Sequence, residues 1–213
     1  MKTPIPGIDV SITTEALLIT SQESLTVLSS SPVGGGLTQA RYILNMHVPK
    51  GYDQPDPTQD LVTCVRKHGV REAFIGMMTA AYVEKTRLAI EQSQGLTVCA
   101  LLTAGLSNAC RAGITPPVPN CLGTINIILL VDACLSHAAL VNAVITATEA
   151  KCDSLRQLER RTSEGELATG TSTDTIVVAT TGRGDLLPYA GPATMVGWLI
   201  ARAVRRSLEE ALE

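Results

Sequence analysis

Glu149 is the first of three candidate side chains that could transfer a proton in a polar site. The segment 136–159 has helical spacing, and Asn142, Thr146, Glu149 and Asp153 recur at intervals that place them on one face. The other face of the predicted helix is apolar. An isolated glutamate among Asn and Thr is typical of a pocket wall, although an ordinary solvent-facing surface fits the pattern equally well.

Asp174 is the second candidate acid or base. It ends the hydroxyl-rich run TGTSTD, residues 169–174, and stands at the entrance of a predicted strand over 173–179. The hydroxyl and backbone N–H groups of such a run, Thr171 among them, could bind an oxyanion. A turn in which these hydroxyls only cap the backbone is the simpler alternative. Because open α/β sites collect at strand ends, Asp174 is the residue that we expect to act.

His47 is the third candidate, because histidine is the side chain best suited to general base catalysis near neutral pH. The chain has two other histidines. His68 lies at the end of a predicted helix, where a contact with the helix dipole explains it, and His137 lies in the first turn of the 136–159 helix. His47 precedes a proline-rich loop at 49–57. We therefore expect it to be the histidine of any site.

Gly34, Gly35 and Gly36 predict a loop that a large ligand approaches closely. One glycine is normally enough to turn a chain, and each further one costs about 0.5–1 kcal/mol of ordering relative to alanine. The two surplus glycines therefore suggest that a Cβ would collide with a ligand there. On this hypothesis Gly35→Ala impairs ligand binding more than it lowers the melting temperature.

A second candidate binding loop follows the strand predicted over 96–104. Ser107 and Asn108 could face a ligand there, and Arg111 could pair with a phosphate or carboxylate. A plain strand-to-helix turn around Gly105 is the alternative. The loop also resembles the glycine run, since GGGLTQAR and TAGLSNACR share a pattern, but coincidence explains so short a match.

The pattern of predicted strands and helices indicates an α/β or α+β fold. We expect a single domain over 1–213, with a mixed sheet and helices packed on it. Strands are predicted at 8–13, 16–21, 25–30, 40–48, 74–80, 96–104, 124–131 and 173–179, and helices at 58–68, 136–159 and 194–212. A short amphipathic segment is expected at 81–91, and Trp198 on the apolar face of the last helix. Strands alternate with helices in the C-terminal half, which favours parallel crossovers there, whereas hairpins are expected in the N-terminal half.

Charge, hydropathy and cysteine content argue against several classes of function. The net charge of −3 excludes the clustered basic surface that nucleic-acid binding requires. The N-terminus lacks the apolar run of a signal peptide, and the most apolar stretch, 121–131, is too short to span a membrane. Six scattered cysteines without zinc-ligand spacing predict reduced thiols and no structural metal. We expect a cytoplasmic protein that contacts neither nucleic acid nor membrane.

Six segments are together similar to the adenosylcobinamide amidohydrolase family. They are SSPVGGGLTQARYILNMHVPKGYD, GMMTAA, LLTAGLSNACRAG, GTINIILLVDACLSHAALVNAVITATEAK, ATGTSTDTIVVAT and YAGPATMVGWLIARAV. The resemblance implies a corrinoid-salvage enzyme that cleaves the amide between a corrin side chain and aminopropanol, giving adenosylcobyric acid for coenzyme B12 synthesis. The corrinoid would be substrate rather than cofactor, and no cofactor is expected.

Amide hydrolysis needs an activated water or nucleophile, donors for the oxyanion and an acid for the leaving amine. Glu149, Asp174 and His47 could supply the base and acid, and Asn45, Asn108, Asn126 and Asn142 could bind the amide-rimmed corrin. The leading hypothesis is attack by water without a covalent intermediate, in a protein that could also form a homo-oligomer.

Two alternatives are left open. One is a threonine-nucleophile amidase or aminopeptidase that cleaves itself between Gly123 and Thr124, which would place the Thr124 amine beside its own hydroxyl as a base. A single intact chain by mass spectrometry would count against it. The other is a non-catalytic corrinoid or nucleotide carrier, which needs the pocket but not the carboxylates.

Overall fold

The computed structural model describes residues 2–117 and 123–213, and these contain twelve strands and three α-helices. The first two residues of the apolar stretch 121–131 therefore lie outside the described residues. In chain order the elements are β1 (Ile8–Ile12), β2 (Ala16–Ser29), β3 (Gly36–His47), α1 (Pro57–Lys67), β4 (Phe74–Thr79), β5 (Arg87–Ser93), β6 (Leu96–Ala104), β7 (Ala109–Cys110), β8 (Ile125–Asp132), β9 (Cys134–Leu135), α2 (His137–Gln157), β10 (Gly170–Thr171), β11 (Thr175–Thr180), β12 (Leu186–Leu187) and α3 (Met195–Leu212).

The helix boundaries follow from capping residues. The carboxylate of Asp56 accepts a hydrogen bond from the backbone N–H of Thr58, and Pro57 occupies the first turn of α1. Ser136 and Thr194 cap α2 and α3 in the same way. These starts agree with the predicted helices, and the mixed α/β fold class is confirmed.

Eight strands form one mixed sheet in the order β4-β3-β2-β11-β8-β6-β5, and β1 also pairs with β2. The pair β8–β11 is parallel and is connected through α2, which confirms the predicted crossover in the C-terminal half. The antiparallel pairs β1–β2 and β2–β3 confirm the hairpins expected in the N-terminal half. The pair β3–β4, which is parallel and connected through α1, is an addition to that expectation.

Three local predictions need correction. The two strands expected at 16–21 and 25–30 are one long strand, β2, whose register with β3 shifts between Thr20 and Leu25. The segment 81–91 forms a short 3-10 turn, Val83–Lys85, followed by the edge strand β5. Trp198 is 46% exposed on α3, with the guanidinium of Arg202 over its ring, and so lies off the buried face.

The bend in β2 folds the sheet over an apolar interior. Side chains from β2, β3, β4, β6, β8 and β11 meet in one buried cluster that includes Ile19, Ile43, Met77, Leu101, Ile128 and Val177. A second cluster lies between the outer side of β5, β6 and β8 and the helices α2 and α3, and a third lies under α1. The helices α1, α2 and α3 thus pack on the sheet through the second and third clusters, whereas the first cluster is built mainly from strand residues.

The chain runs through the same order of elements twice. In β1-β2-β3-α1-β4 two antiparallel pairs are followed by a parallel crossover, and β5-β6-β8-α2-β11 repeats this arrangement. The similar segments are placed differently: GGGLTQAR lies mostly within β3, whereas TAGLSNACR covers the end of β6 and the loop after it. The repeated order of elements, and not this short match, is what favours a duplication.

Candidate active site

A network of buried amides closes one end of the sheet interior. The Nδ2 group of Asn126 on β8 donates to Oδ1 of Asn45 on β3 and to the carbonyl oxygen of Met78, each at 2.8 Å. Asn45 donates in turn to the hydroxyl of Thr103 on β6 at 3.1 Å. Asn45 and Asn126 are 2% and 1% exposed, so both predicted corrin-binding amides are committed to this network. They stabilise the end of the interior and do not reach a ligand directly.

Thr124 lies directly above this network, at the start of β8. It is buried, and its Oγ1 lies 3.0 Å from Oδ1 of Asn126 and 2.7 Å from the carbonyl oxygen of Thr173. The carbonyl oxygen of Thr124 accepts a hydrogen bond from the backbone N–H of Gly105 at 3.0 Å. Two segments therefore hold the hydroxyl, and a third holds the backbone of the same residue.

Gly123 brings the backbone into close contact with the loop that follows β6. A Cβ at Gly123 would overlap Oδ1 of Asn108 and would lie 2.8 Å from Oγ of Ser107, so only glycine fits there. The carbonyl oxygen of Gly123 accepts a hydrogen bond from Oγ1 of Thr173 at 2.7 Å. Ser107 and Asn108, both predicted from sequence, are thus brought next to the Gly123–Thr124 peptide bond.

Asp174 positions the start of β8. Its Oδ1 accepts hydrogen bonds from the backbone N–H groups of Ile125 and Thr171, each at 3.1 Å, and from the Thr171 hydroxyl. Its Oδ2 forms an ion pair with Lys151 of α2, and the two side chains are 20% and 11% exposed. With both oxygens occupied, the geometry favours a positioning role for Asp174, and Thr171 belongs to the turn that holds it.

Two cavities have Gly123 in their walls, and a third adjoins one of them. The first, which we call the lysine cavity, has a volume of about 330 Å³ and is lined by Lys50, Tyr82, Lys85, Ser107 and Gly123 among others. The threonine cavity, about 290 Å³, is lined by Tyr52, Thr79, Gly123, Thr124, Thr173 and Thr175 among others. The proline cavity, about 740 Å³, is lined by Ser107, Asn108, Pro116, Pro117, Arg161 and Ser172 among others. Gly123 is common to the first two, and Ser107 to the first and third.

His47 lies outside these three cavities. Its Nδ1 is 3.0 Å from the carbonyl oxygen of Ala81, which can only accept, so Nδ1 carries the proton. The ring stacks on Tyr82 with centroids 5.3 Å apart. The histidine lines a separate cavity of about 340 Å³ beside Glu15 and Lys67. Its contact with Tyr82 connects it to the wall of the lysine cavity, but it does not face the Gly123–Thr124 bond.

Two residues on the polar face of α2, Asn142 and Thr146, bind the backbone of a loop and do not line the predicted pocket. The hydroxyl of Thr146 donates to the carbonyl oxygen of Ala190 at 2.9 Å, and Oδ1 of Asn142 accepts from the N–H of the same residue at 3.5 Å. They anchor the loop before α3. Glu149 is exposed and lines a shallow cavity with Arg111, which is itself ion-paired with Glu166. This cavity shares no lining residue with the lysine, threonine and proline cavities.

The three glycines at 34–36 are explained by the turn itself. Gly34 and Gly36 have φ values of +70° and +87°, which favour glycine. A Cβ on Gly34 would lie 2.7 Å from Cδ1 of Ile75, and one on Gly35 would lie 2.7 Å from the carbonyl oxygen of Ser31. The turn thus accounts for these glycines without a ligand. The loop packs against β4 instead.

Thr173 and Lys151 are the residues of this arrangement that sequence reasoning missed. Thr173 was concealed inside TGTSTD, where any of four hydroxyls could have been the functional one. Lys151 gave a signal that could have been used, since a lysine amid the alanines of α2 calls for an acidic partner. That partner, Asp174, lies on a different element, and only the fold brings the two together.

Ionisation of the neighbouring thiols and phenol is suppressed. Burial raises the pKa of Cys110 and of Cys152, whose Sγ donates to the carbonyl oxygen of Thr169. Burial and the hydrogen bond to Asp60 raise the pKa of Tyr52, in the threonine cavity, to about 12. These groups are therefore protonated at neutral pH and are poor nucleophiles.

Within residues 2–117 and 123–213, no three His, Cys, Asp or Glu side chains come together as a metal site would require. No helix in the same ranges is both long enough and apolar enough to cross a membrane.

Comparison with known proteins adds three findings. The profile of the adenosylcobinamide amidohydrolase family matches residues 2–213. A protein named adenosylcobinamide amidohydrolase from Methanosarcina mazei is 35% identical over 86% of this chain and 88% of its own length, and one of the same name from Halobacterium salinarum is 31% identical over 84% and 77%. In fold the chain is similar to the PH0078 protein of Pyrococcus horikoshii, with a TM-score of 0.53 and 13% identity over 98% of this chain and 79% of the other.

Proposed function

This chain belongs to the adenosylcobinamide amidohydrolase family, and we propose that it cleaves the amide joining a corrin side chain to aminopropanol in adenosylcobinamide. The products would be adenosylcobyric acid and aminopropanol, which suits a cytoplasmic enzyme of corrinoid salvage. The adjacency of three cavities, two of which have Gly123 in their walls, is the observation that carries the proposal. A corrin is far larger than any one of these cavities, so a site assembled from several is what such a substrate requires.

The chemistry of the cavity walls supports this substrate. Tyr82 is 58% exposed at the lysine cavity and offers a flat apolar face beside it. Lys50 and Lys85 line the same cavity and would favour the carboxylate that hydrolysis leaves on the corrin side chain. Ser107 and Asn108 stand where the rim amides of a corrin could find polar partners.

Incubation of the purified protein with adenosylcobinamide, followed by chromatography and mass spectrometry, tests the proposal. Adenosylcobyric acid and aminopropanol should appear in equal amounts. If adenosylcobinamide is recovered unchanged while the protein is folded by circular dichroism, the proposed activity is wrong. If the protein binds the corrinoid but forms no product, the carrier alternative replaces it.

A matched pair of tyrosine variants locates the site. Tyr82→Ala should raise the KM for adenosylcobinamide about tenfold, equivalent to about 1.4 kcal/mol of binding, because the corrin loses an aromatic contact surface. Tyr189 is comparably exposed, at 65%, but lines none of the three cavities, so Tyr189→Ala should leave KM unchanged. Equal effects of the two changes would place the corrin elsewhere.

A further inference from the structure

We propose that Thr124 is the nucleophile of this hydrolase and that the chain generates it by cleaving its own Gly123–Thr124 bond. The inference rests on the proposed amidase function and adds to it the reacting group. It replaces attack by free water, the leading hypothesis from sequence, with a covalent route.

The position of Thr124 is the first reason. Its side chain is 4% exposed, yet it lines the threonine cavity, and the neighbouring Gly123 lines both that cavity and the lysine cavity. The Gly123–Thr124 bond therefore lies between the two spaces that a substrate would enter. Thr124 lines a cavity there and immediately precedes the central strand β8.

The partners of the Thr124 hydroxyl are the second reason. Oδ1 of Asn126 and the carbonyl oxygen of Thr173 hold it at 3.0 and 2.7 Å. Both are neutral amide oxygens, which orient a hydroxyl but cannot take its proton at neutral pH. A threonine needs an adjacent base to attack an amide, and a free α-amine on the same residue supplies one. The usual pKa of an α-amine, about 7.7–8.0, suits that role.

The way the peptide bond is held is the third reason. Oγ1 of Thr173 donates to the carbonyl oxygen of Gly123 at 2.7 Å, where negative charge would develop on attack at that carbonyl. On the other side, Gly105 binds the carbonyl oxygen of Thr124, and Asp174 binds the N–H of Ile125. Hydrogen bonds thus hold both flanks of the bond, and the donor Thr173 polarises its carbonyl.

The proposed cleavage consumes one water. Oγ1 of Thr124 attacks the carbonyl carbon of Gly123 through a five-membered ring, its proton passes to the Thr124 nitrogen, and the C–N bond breaks to leave an ester and a free amine. Water then hydrolyses the ester, giving the Gly123 carboxylate with one proton released, and restores the Thr124 hydroxyl. The mature Thr124 would attack the substrate amide, pass its proton through the amine to the leaving aminopropanol, and be freed by a second water.

The two resulting chains, residues 1–123 and 124–213, would stay together. The strand β8 of the second pairs along its length with β6 of the first, and β11 pairs with β2. Both chains also share the buried cluster inside the sheet. Cleavage would therefore release a new N-terminus within an otherwise unchanged core.

Intact-mass spectrometry of the purified full chain, denatured after incubation at 37 °C, tests the inference. The wild type should resolve into residues 1–123 and 124–213, Thr124→Ser should also cleave, and Thr124→Ala should stay one chain of 22.5 kDa. Thr124→Ala should also lower turnover by about a thousandfold or more. The control Thr180→Ala changes a threonine equally buried on β11, with its hydroxyl on the carbonyl oxygen of Ala133, and should cleave as the wild type does.

The outcomes separate this inference from the proposed function. An uncut wild type that still forms adenosylcobyric acid would overturn self-cleavage and leave the amidase function in place. A wild type that cuts at 123–124 but forms no product would support self-cleavage and refute the corrinoid substrate. Melting curves of Thr124→Ser and Thr124→Ala confirm that loss of cleavage does not reflect loss of the fold.

Discussion

At the residue scale, the sequence located the correct loops more reliably than the correct side chains. Asp174 was selected as an acid or base because it stands at a strand entrance, and that placement holds. Its oxygens are nevertheless occupied by Ile125, Thr171 and Lys151, which a sequence cannot reveal because Lys151 comes from another element. The functional hydroxyls could not be ranked from their types, since burial and hydrogen-bond partners distinguish one threonine from another.

Glu149→Gln distinguishes the two interpretations of the polar helix face. A general base at this position would lose most of its activity on becoming an amide. Because Glu149 is exposed and lines a cavity with no residue in common with those around Gly123, we expect turnover within about twofold of wild type. Steady-state kinetics on adenosylcobinamide checks this. A loss of a hundredfold or more would restore Glu149 to the active site.

At the element scale, apolar periodicity predicted the helices and most strands because each depends on local patterning. The bend in β2 was misread as a turn, since the polar run Gln22–Ser24 looks the same in a bulge and in a loop. The edge strand β5 was missed because its alternation is short and its outer side is polar. The packing of the glycine turn against β4 was also invisible, because it depends on a contact across more than thirty residues.

Gly35→Ala should now act on stability and not on binding. The new Cβ would lie 2.7 Å from the carbonyl oxygen of Ser31 within the same turn, so the turn must shift. We expect the free energy of unfolding to fall by about 1–3 kcal/mol in urea denaturation, with an unchanged Kd for adenosylcobinamide below the transition. Gly191, where φ is outside the left-handed region and nothing lies within 4 Å of a Cβ, gives a control for the added methyl group alone. Weakened binding with unaltered stability would favour the original ligand hypothesis.

At the scale of the whole molecule, the fold class could be predicted from sequence but the strand order could not. The central pair β2–β11 joins residues from opposite ends of the chain, and no local pattern sets its register. The same pairing brings the second unit of the repeat against the first. The site at 123–124 exists only once Thr173 and Asp174, which precede β11, reach the start of β8.

Alkaline pH should destabilise the protein. Burial raises the pKa of Cys99 to about 12 and raises those of Cys64, Cys110 and Cys152 as well. Unfolded thiols ionise near their ordinary pKa of about 8.5, so the unfolded state binds fewer protons above that pH. The contribution of Cys99 is complete below about pH 8.5 and falls as the pH rises towards 12, by up to about 1.4 kcal/mol per pH unit, and the other three thiols act in the same direction.

Urea denaturation at pH 7, 8.5 and 10 measures this dependence. Cys99→Ala should reduce the slope between pH 8.5 and 10, although it also removes a small buried side chain and lowers stability at every pH. A free energy of unfolding that stays constant or rises over this range would contradict the assignment of buried, protonated thiols.

The pairing of Ser29 with Val177 has a consequence for biosynthesis. Contacts between residues so far apart raise the contact order, and sheets of this kind form slowly. While the chain is being translated, the edge of β2 has no partner until residues 175–180 leave the ribosome, which exposes a long apolar strand to aggregation. Thr173 arrives with the same segment, so the Gly123 carbonyl has no such donor until the residues just before β11 have been synthesised. A nascent chain would be protected from premature scission by the order in which its strands emerge.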